Sequence, residues 1–272
     1  MYLSCSSLVC TMDEYPNIKD AITKMKELGF RAFDLAAFEG WQNVNPSMLA
    51  ERNESWSREF INAVVESGMK VSSFNCGPSK PLNDPEPSSF AQYEKEYIAL
   101  LNLAEMVNCP NITVQPGGAL KDYGFTKSFD ISMKHLDKLS SLNKDRGVTL
   151  SLEGHQGSIL EKPEDALRMM KNLWPSVGFT YDPSHFVMQG ISFKETEPLL
   201  DYTVHVHVRN SSSEKMQDTM EEGSIDFHWL ISDLNAHGYN GAVAIKYFSD
   251  FDKEFKNTIA LRELLLELDV KT

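Results

Sequence analysis

The sequence predicts an α/β protein, a single (β/α)8 TIM barrel domain over residues 1–272. Short apolar segments alternate with helical segments along the whole chain, and 272 residues divided into eight such units give 34 residues each. Doubly wound open sheets show the same alternation, but no G-x-G-x-x-G follows the first strand, so the strongest sign of a dinucleotide-binding sheet is missing. A closed barrel is therefore the expected fold.

The predicted strands are short and rich in Val, Ile, Phe and Leu, as buried parallel strands are. They cover residues 3–9, 32–37, 70–75, 111–115, 149–153, 178–181, 203–208 and 242–247. The predicted helices cover residues 18–28, 56–67, 88–107, 126–145, 163–173, 193–200, 227–237 and 251–266. Start and stop signals support these helices, since Pro163 opens one of them and Gly29 follows the end of another.

The composition is acidic, with 26 Lys and Arg residues against 39 Asp and Glu residues and a formal charge of −13. This charge argues against a nucleic-acid partner, which requires a basic surface. No run of about 18 apolar residues occurs, so no association with a membrane is expected. Four scattered cysteines without a C-x-x-C pair are typical of buried thiols in a reducing compartment, and a cytoplasmic protein is expected. The oligomeric state stays open, a homo-oligomer included.

Ionisable residues stand at the ends of predicted strands, where core strands usually carry apolar or turn residues. Glu153, Asp182 and His207 come from three neighbouring strands, and the last inward positions of such strands point at one central volume. Two carboxylates and an imidazole suit Mn²⁺, Mg²⁺, Zn²⁺ or Co²⁺ and leave coordination positions for water and substrate oxygens. The competing interpretation, three unrelated polar groups, would leave buried charges unpaired. The sequence therefore predicts a divalent metal site.

Three further histidines lie close to these residues in sequence. His155 follows Glu153 by two residues and His185 follows Asp182 by three, so both are candidates for substrate hydrogen bonds or proton transfer at the mouth of the barrel. His205 precedes His207 by two residues and shares its strand face, which favours a core position or a supporting role.

Other residues at the mouth are expected to bind the substrate directly. A glutamine at the end of strand four can hydrogen-bond a hydroxyl, an arginine after strand seven can bind an anionic or sugar oxygen, and a tryptophan offers a face to a sugar ring. These predicted contacts are Gln115, Arg209 and Trp41.

Several stretches of the sequence match a known family in order and spacing. They are L-E-G-H, Y-D-P-S-H, V-H-V-H-V-R-N, G-S-I-D-F and G-Y-N-G. Over nearly the whole chain they resemble the sugar phosphate isomerase/epimerase family of the xylose-isomerase-like TIM barrel superfamily. The resemblance implies a divalent metal held by Glu153, Asp182 and His207. It also implies a substrate contact by His185 and an acidic substrate contact near Asp34.

The sequence departs from this family at the fourth metal ligand. Family members carry a Glu there, within a phrase such as A-I-E-Y, whereas this chain has Lys246 within A-I-K-Y. Because an ammonium cannot ligate a cation, three interpretations are open. The metal is kept on three ligands, with Lys246 turned aside or acting as a neutral base; the ammonium replaces the metal; or Lys246 forms a Schiff base with a carbonyl substrate.

The predicted function is that of a carbohydrate-active enzyme, a sugar isomerase or epimerase that moves a proton beside a carbonyl with the help of a metal. The residues assigned to catalysis are Glu153, Lys246 and His185. One alternative is a lyase that carries out β-elimination on a keto-sugar or keto-glycoside, which needs a single base. Another is a non-catalytic sugar-binding barrel, a pseudoenzyme. An apurinic endonuclease with the same barrel is disfavoured, because it needs more zinc ligands and a basic DNA groove.

Overall fold

The computed structural model describes residues 1–10, 12–41, 44–51 and 54–272, and its strands close into a parallel barrel in sequence order. The strands are β1 (Tyr2–Ser6), β2 (Ala32–Phe38), β3 (Lys70–Gly77), β4 (Asn111–Val114), β5 (Thr149–Glu153), β6 (Val177–Tyr181), β7 (Thr203–Val208) and β8 (Ala242–Ile245). The helices are α1 (Ile18–Glu27), α2 (Pro46–Ala50), α3 (Glu54–Ser67), α4 (Pro87–Met106), α5 (Gly124–Leu142), α6 (Pro163–Leu173), α7 (Ser184–Val187), α8 (Phe193–Thr196), α9 (Phe227–Ala236) and α10 (Lys256–Glu267). The predicted single (β/α)8 TIM barrel is confirmed.

The hydrophobic core lies between the strands and the helices around them. The outward residues of β4 and β5, such as Ile112 and Leu150, are fully buried, because helices cover the outer face of a parallel barrel. β8 pairs with β1 in parallel, from Tyr2 beside Ala242 to Cys5 beside Ile245, and this pairing closes the barrel.

The inside of the barrel is polar and hydrogen-bonded. The Thr180 hydroxyl lies 2.9 Å from that of Thr113 and 2.8 Å from that of Ser151. Because side chains alternate along a strand, the next inward residues after Ser151 and Thr180 are Glu153 and Asp182. The alternation therefore brings these two carboxylates to the rim, above a layer of hydroxyl groups.

Among the predicted elements that end earlier than expected, two end for a clear local reason. The predicted strand over residues 3–9 ends at Ser6, and a 3₁₀ helix, Ser7–Val9, follows it. The Ser6 hydroxyl accepts a hydrogen bond from the Leu8 backbone N–H and caps this turn. The predicted helix over residues 193–200 stops at Thr196 and continues as a 3₁₀ helix, Glu197–Tyr202, where Pro198 cannot donate a helical hydrogen bond.

The last helix begins later than predicted, at Lys256 instead of residue 251. The carboxylate of Asp252 accepts hydrogen bonds from the backbone N–H groups of Asn257 (3.0 Å) and Thr258 (2.8 Å). A side-chain acceptor of this kind satisfies the unpaired amides of a helix start and so determines where the helix begins.

No helix in the described part of the chain is long and apolar enough to cross a membrane. The cysteines are all buried and free, as the sequence predicted: Cys5, Cys10, Cys76 and Cys109.

Candidate active site

A cavity of about 280 Å³ lies at the carboxyl-terminal end of the barrel. It is lined by strand ends and the loops after them: Leu8, Phe38, Trp41, Asn75, Gln115, Glu153, His155, His185, Arg209, Lys246 and Phe248. Most of the predicted site residues line this cavity; the exceptions are Asp34, Asp182 and His207. A larger groove of about 600 Å³ lies outside the barrel among α2, α3 and α4, but its lining holds no buried ionisable side chain.

Lys246 lies at the centre of a cluster of buried charges. Its Nζ donates to Glu153 Oε1 at 2.5 Å, and the same Nζ lies 3.1 Å from His207 Nδ1 and 3.8 Å from Asp182 Oδ2. Lys246 follows β8 directly and is only 3% exposed. The lysine therefore occupies the volume between the three residues that the sequence predicted as metal ligands.

Arg209 binds the second carboxylate of the cluster. Its NH2 donates to Asp182 Oδ2 at 3.0 Å and to His185 Nε2 at 3.2 Å, and its NH1 donates to the Lys246 backbone carbonyl at 3.0 Å. Arg209 also lines the cavity. Most of its donors are therefore already used within the protein, and its predicted contact with the substrate stays a prediction.

Both carboxylates at the rim are ionised at neutral pH. Burial opposes the ionisation of Glu153, but Lys246 and His207 hold its pKa well below the usual range. Burial likewise opposes the ionisation of Asp182, and Arg209 is the main charge that lowers its pKa. The site thus contains fixed negative charges that are balanced by neighbouring cations.

Asp34 is hydrogen-bonded to two histidines and a serine inside the barrel. Its Oδ2 accepts hydrogen bonds from His205 Nε2 (3.1 Å) and His207 Nε2 (3.3 Å), and its Oδ1 accepts one from Ser6 Oγ (3.2 Å). Burial opposes the ionisation of Asp34, but the two histidines outweigh it and lower its pKa. Asp34 is the third residue of β2, is fully buried and does not line the cavity, and its expected contact with a substrate stays a prediction.

His207 is held between two carboxylates. Its Nδ1 lies 2.5 Å from Glu153 Oε1 and its Nε2 lies 3.3 Å from Asp34 Oδ2. A carboxylate can only accept, so both ring nitrogens of His207 donate and the ring is an imidazolium. Burial and Lys246 oppose this charge, but Glu153 and Asp34 raise the pKa of His207.

The two histidines that line the cavity present opposite hydrogen-bonding groups to it. His185 Nε2 accepts from Arg209, so its Nδ1 carries the proton. His155 Nδ1 lies 2.9 Å from the Gln156 carbonyl and donates to it, so Nε2 is the acceptor of the ring whenever the ring carries a single proton. Neither His185 Nδ1 nor His155 Nε2 has a partner among the described residues. One donor and one acceptor are thus left for a ligand.

Sequence reasoning missed Asn75 and Phe248 in the cavity wall. Asn75 lies two residues after the inward-facing Ser73 near the end of β3, so the rule for polar strand ends applied to it as well. Its buried Oδ1, like the Nε1 of Trp41, has no hydrogen-bond partner within the part of the chain that the structure describes. Phe248 follows β8, and nothing in its sequence context distinguishes it from a core aromatic residue.

The predicted divalent metal does not fit the arrangement of these residues. The ligand-type atoms of Glu153, Asp182 and His185 lie within 4.8 Å of one another. However, the Lys246 ammonium contacts Glu153, and the Arg209 guanidinium contacts both Asp182 and His185. A second cation beside these groups would be repelled. Lys246 and Arg209 would have to move before a metal could bind, so the metal stays a prediction.

Acid should destabilise the protein through His185. Burial, helped by Arg209 and opposed by Asp182, lowers the pKa of His185 to about 4, whereas an unfolded histidine titrates near 6.5. Between these values the unfolded chain binds a proton that the fold does not, so stability is lost as the pH falls from about 6.5 towards about 4. The expected loss at about pH 4.5 is about 2 kcal/mol from this group.

Urea unfolding at neutral and acid pH measures this effect. His185→Asn should lose less stability on acidification than the wild type, by about 2 kcal/mol. His228→Asn, a change at an exposed histidine of α9, should lose as much as the wild type. Equal losses in all three proteins would show that His185 is protonated normally in the fold.

Comparison with known families identifies the barrel. The family described as Xylose isomerase-like TIM barrel matches residues 22–266, most of the chain. The chain belongs to this family. The match confirms the resemblance to xylose-isomerase-like TIM barrels that the sequence motifs indicated.

Solved structures share the fold of this xylose isomerase-like barrel. A D-tagatose 3-epimerase-like protein matches with a TM-score of 0.79 and 18% identity, over 99% of this chain and 98% of its own. The 3-keto-D-glucoside 4-epimerase YcjR from E. coli, in its apo form, matches with a TM-score of 0.71 and 19% identity, over 90% of this chain and 91% of its own. The probable 3-DHS dehydratase AsbF from Bacillus anthracis matches with a TM-score of 0.74 and 14% identity, over 98% of this chain and 99% of its own.

Two other comparisons bear on the chain. IolI, solved with a bound zinc atom, matches with a TM-score of 0.67 and 16% identity, over 91% of this chain and 89% of its own. The protein MJ1188 of Methanocaldococcus jannaschii is 22% identical over 228 residues, which cover 80% of this chain and 83% of that protein. At these identities the solved structures show a common fold.

Proposed function

We propose that this protein is a sugar-modifying enzyme, an isomerase or epimerase that moves a proton on the carbon beside a carbonyl group of a sugar or sugar derivative. The observation that carries this proposal is the pairing of Glu153 with Lys246 at 2.5 Å in the wall of one cavity. A carboxylate base beside a cation suits this reaction, because the base takes the proton and the cation stabilises the charge that develops on the carbonyl oxygen.

The hydrogen bonds of Glu153 leave one of its two carboxylate oxygens free to act as the base. Its hydrogen bonds with Lys246 and His207 both use Oε1, so Oε2 is the oxygen proposed to accept the proton. The electron pair of the C–H bond then moves into an enediolate, whose negative oxygen lies beside Lys246. Transfer of the hydroxyl proton between the two enediolate oxygens and return of the proton from Glu153 to the neighbouring carbon give the isomer. Delivery of a proton by a second group to the opposite face of the original carbon, while Glu153 keeps the proton it took, gives the epimer.

The unpaired polar atoms of the cavity support a ligand rich in hydroxyl groups. The Trp41 Nε1 and His185 Nδ1 groups are donors, and the His155 Nε2 and Asn75 Oδ1 atoms are acceptors; all four lack partners among the described residues. A sugar hydroxyl both donates and accepts, so it satisfies either kind of group. His155 Nε2 is also the proposed second proton-transfer group of an epimerisation: it accepts the proton when the reaction runs in one direction and returns it, as the protonated ring, when Glu153 is the acceptor.

A lyase that carries out β-elimination is the second candidate. Glu153 is the sole carboxylate among the described residues that line the cavity, and β-elimination needs one base. The proton that Glu153 takes then passes to the leaving-group oxygen, which accepts a hydrogen bond from His185 Nδ1–H. The likeness to the dehydratase AsbF is compatible with such a reaction.

Proton exchange in D₂O tests the proposal. D-tagatose and a 3-keto-D-glucoside, suggested by the structural neighbours, serve as probes, and NMR and mass spectrometry follow the products. We expect deuterium to enter at the carbon beside the carbonyl, at a rate proportional to protein concentration. A new sugar diastereomer or isomer supports the main proposal, and an unsaturated product supports the lyase. A probe that binds but never exchanges would show a non-catalytic barrel.

A further inference from the structure

We infer that the Lys246 ammonium takes the place of a divalent metal in this barrel, so that a built-in cation binds and polarises the carbonyl oxygen of the substrate. Its role toward the substrate rests on the proposed function. The replacement of the metal is carried by the geometry and charge of the cluster alone.

The position of the lysine is the first argument. Glu153, Asp182 and His207 come from the consecutive strands β5, β6 and β7, and Lys246 reaches between them from the end of β8. Its Nζ lies 2.5, 3.8 and 3.1 Å from the nearest oxygen or nitrogen of these three residues, in that order. A cation held by the same three side chains would have to occupy this volume.

Charge balance is the second argument. Three carboxylates and three cations form the cluster, and each of these side chains is at most 4% exposed. They are Asp34, Glu153, Asp182, His207, Arg209 and Lys246. The buried charges therefore sum to zero. A divalent ion would add two positive charges that no group offsets, and uncompensated buried charge is costly.

The hydrogen bonds of Asp182 are the third argument. Its Oδ1 accepts from both the backbone N–H (3.1 Å) and the hydroxyl (2.5 Å) of Ser184. Its Oδ2 accepts from Arg209 NH2 at 3.0 Å. Both oxygens thus already accept hydrogen bonds, and the remaining lone pair of Oδ2 lies beside the Arg209 guanidinium and the Lys246 ammonium, two cations that would repel a metal ion.

The remaining donors of Lys246 are available to a ligand. An ammonium has three N–H groups, and one of them binds Glu153. His207 does not accept from Lys246, because its own Nδ1 donates to Glu153. Lys246 lines the cavity, so a carbonyl oxygen can take one of the other N–H groups. An ion-paired ammonium has no lone pair, which argues against attack on the carbonyl and a Schiff base.

Titration with Mn²⁺, followed by the EPR signal of the free ion, tests the replacement directly. The wild type should show no stoichiometric binding. Lys246→Glu should bind Mn²⁺ at least about 100-fold more tightly, because it restores a fourth anionic ligand and removes the opposing charge. Lys253→Glu makes the same change of charge at an exposed position and should bind as weakly as the wild type.

Activity supplies the second readout. Deuterium exchange by the wild type should be unchanged after dialysis against EDTA. Lys246→Met, which keeps an unbranched side chain one atom shorter and removes the charge, should lose exchange by about 10²–10³-fold, in the range found when one stabilising donor is removed from an active site. Circular dichroism establishes whether each variant is folded, and the wild-type titration decides the question even if a variant is not.

The outcomes separate this inference from the proposed function. Stoichiometric Mn²⁺ binding by the wild type, or exchange that EDTA stops and Mn²⁺ restores, would overturn the inference and leave the proposed function intact. Borohydride trapping of a probe on Lys246 would overturn it in favour of a Schiff base. Absence of exchange with every probe would instead contradict the proposed function, while the Mn²⁺ titration would still decide whether the lysine replaces a metal.

Discussion

Glu153→Gln should reduce deuterium exchange by about 10³-fold, within the range attributed to a positioned general base. The amide has nearly the same shape as the carboxylate but cannot accept the proton from carbon. The change also removes the negative charge that lies 2.5 Å from both Lys246 Nζ and His207 Nδ1. The D₂O assay used for the wild type measures the loss.

Two measurements show that this loss arises at the site. The pKa of His207, followed by NMR of its ring nitrogens, should fall in Glu153→Gln, because one of the two carboxylates that raise it is gone and Lys246 remains. Glu164→Gln, at an exposed position in the first turn of α6, should exchange at the wild-type rate. Retention of more than about a tenth of the activity in Glu153→Gln would show that another group is the base.

Asp34→Ala should lower the free energy of unfolding by about 3–5 kcal/mol, the cost of removing one partner from a buried charged pair. Asp34 is fully buried and accepts hydrogen bonds from His205, His207 and Ser6. Without it, the Nε2 groups of both histidines lose their acceptor inside the barrel. Urea unfolding at neutral pH measures the change.

A control and a pH series complete this experiment. Asp130→Ala, at an exposed position of α5, should alter stability by less than about 0.5 kcal/mol. The folded pKa of Asp34 is lowered, so its contribution is present above the unfolded value of about 3.9 and is lost as the pH falls through the folded value. The difference between wild type and Asp34→Ala should therefore shrink in strong acid. A small, constant difference would mean that Asp34 bears little charge.

Local rules predicted much of the fold and of the cavity. Apolar segments of the right length predicted eight strands, and the strands Thr149–Glu153 and Thr203–Val208 have the predicted bounds. The alternation of side chains along a strand predicted that Glu153 would lie at the rim, and it lines the cavity. The same rule applied to Asn75 would have found that residue. The position of Asp34 as third residue of β2 was also readable from the sequence and argued against a place at the rim.

The partners of the charged groups were not predictable in this way. Lys246 and Glu153 are 93 residues apart in sequence, and His207 and Asp34 are 173 residues apart. Hydrogen bonds between such residues depend on barrel closure and strand stagger, which no local pattern encodes.

The sequence by itself thus determined the barrel, the strand ends that surround its mouth and the presence of a lysine, Lys246, directly after the eighth strand. Only the tertiary structure decided what that lysine does to its neighbours. In the folded barrel Lys246 is hydrogen-bonded to Glu153, Arg209 is hydrogen-bonded to Asp182, and His207 lies between the carboxylates of Glu153 and Asp34. The physical reason is that burial makes each unpaired charge costly, so side chains from distant strands become mutual partners once the closed barrel excludes water from them.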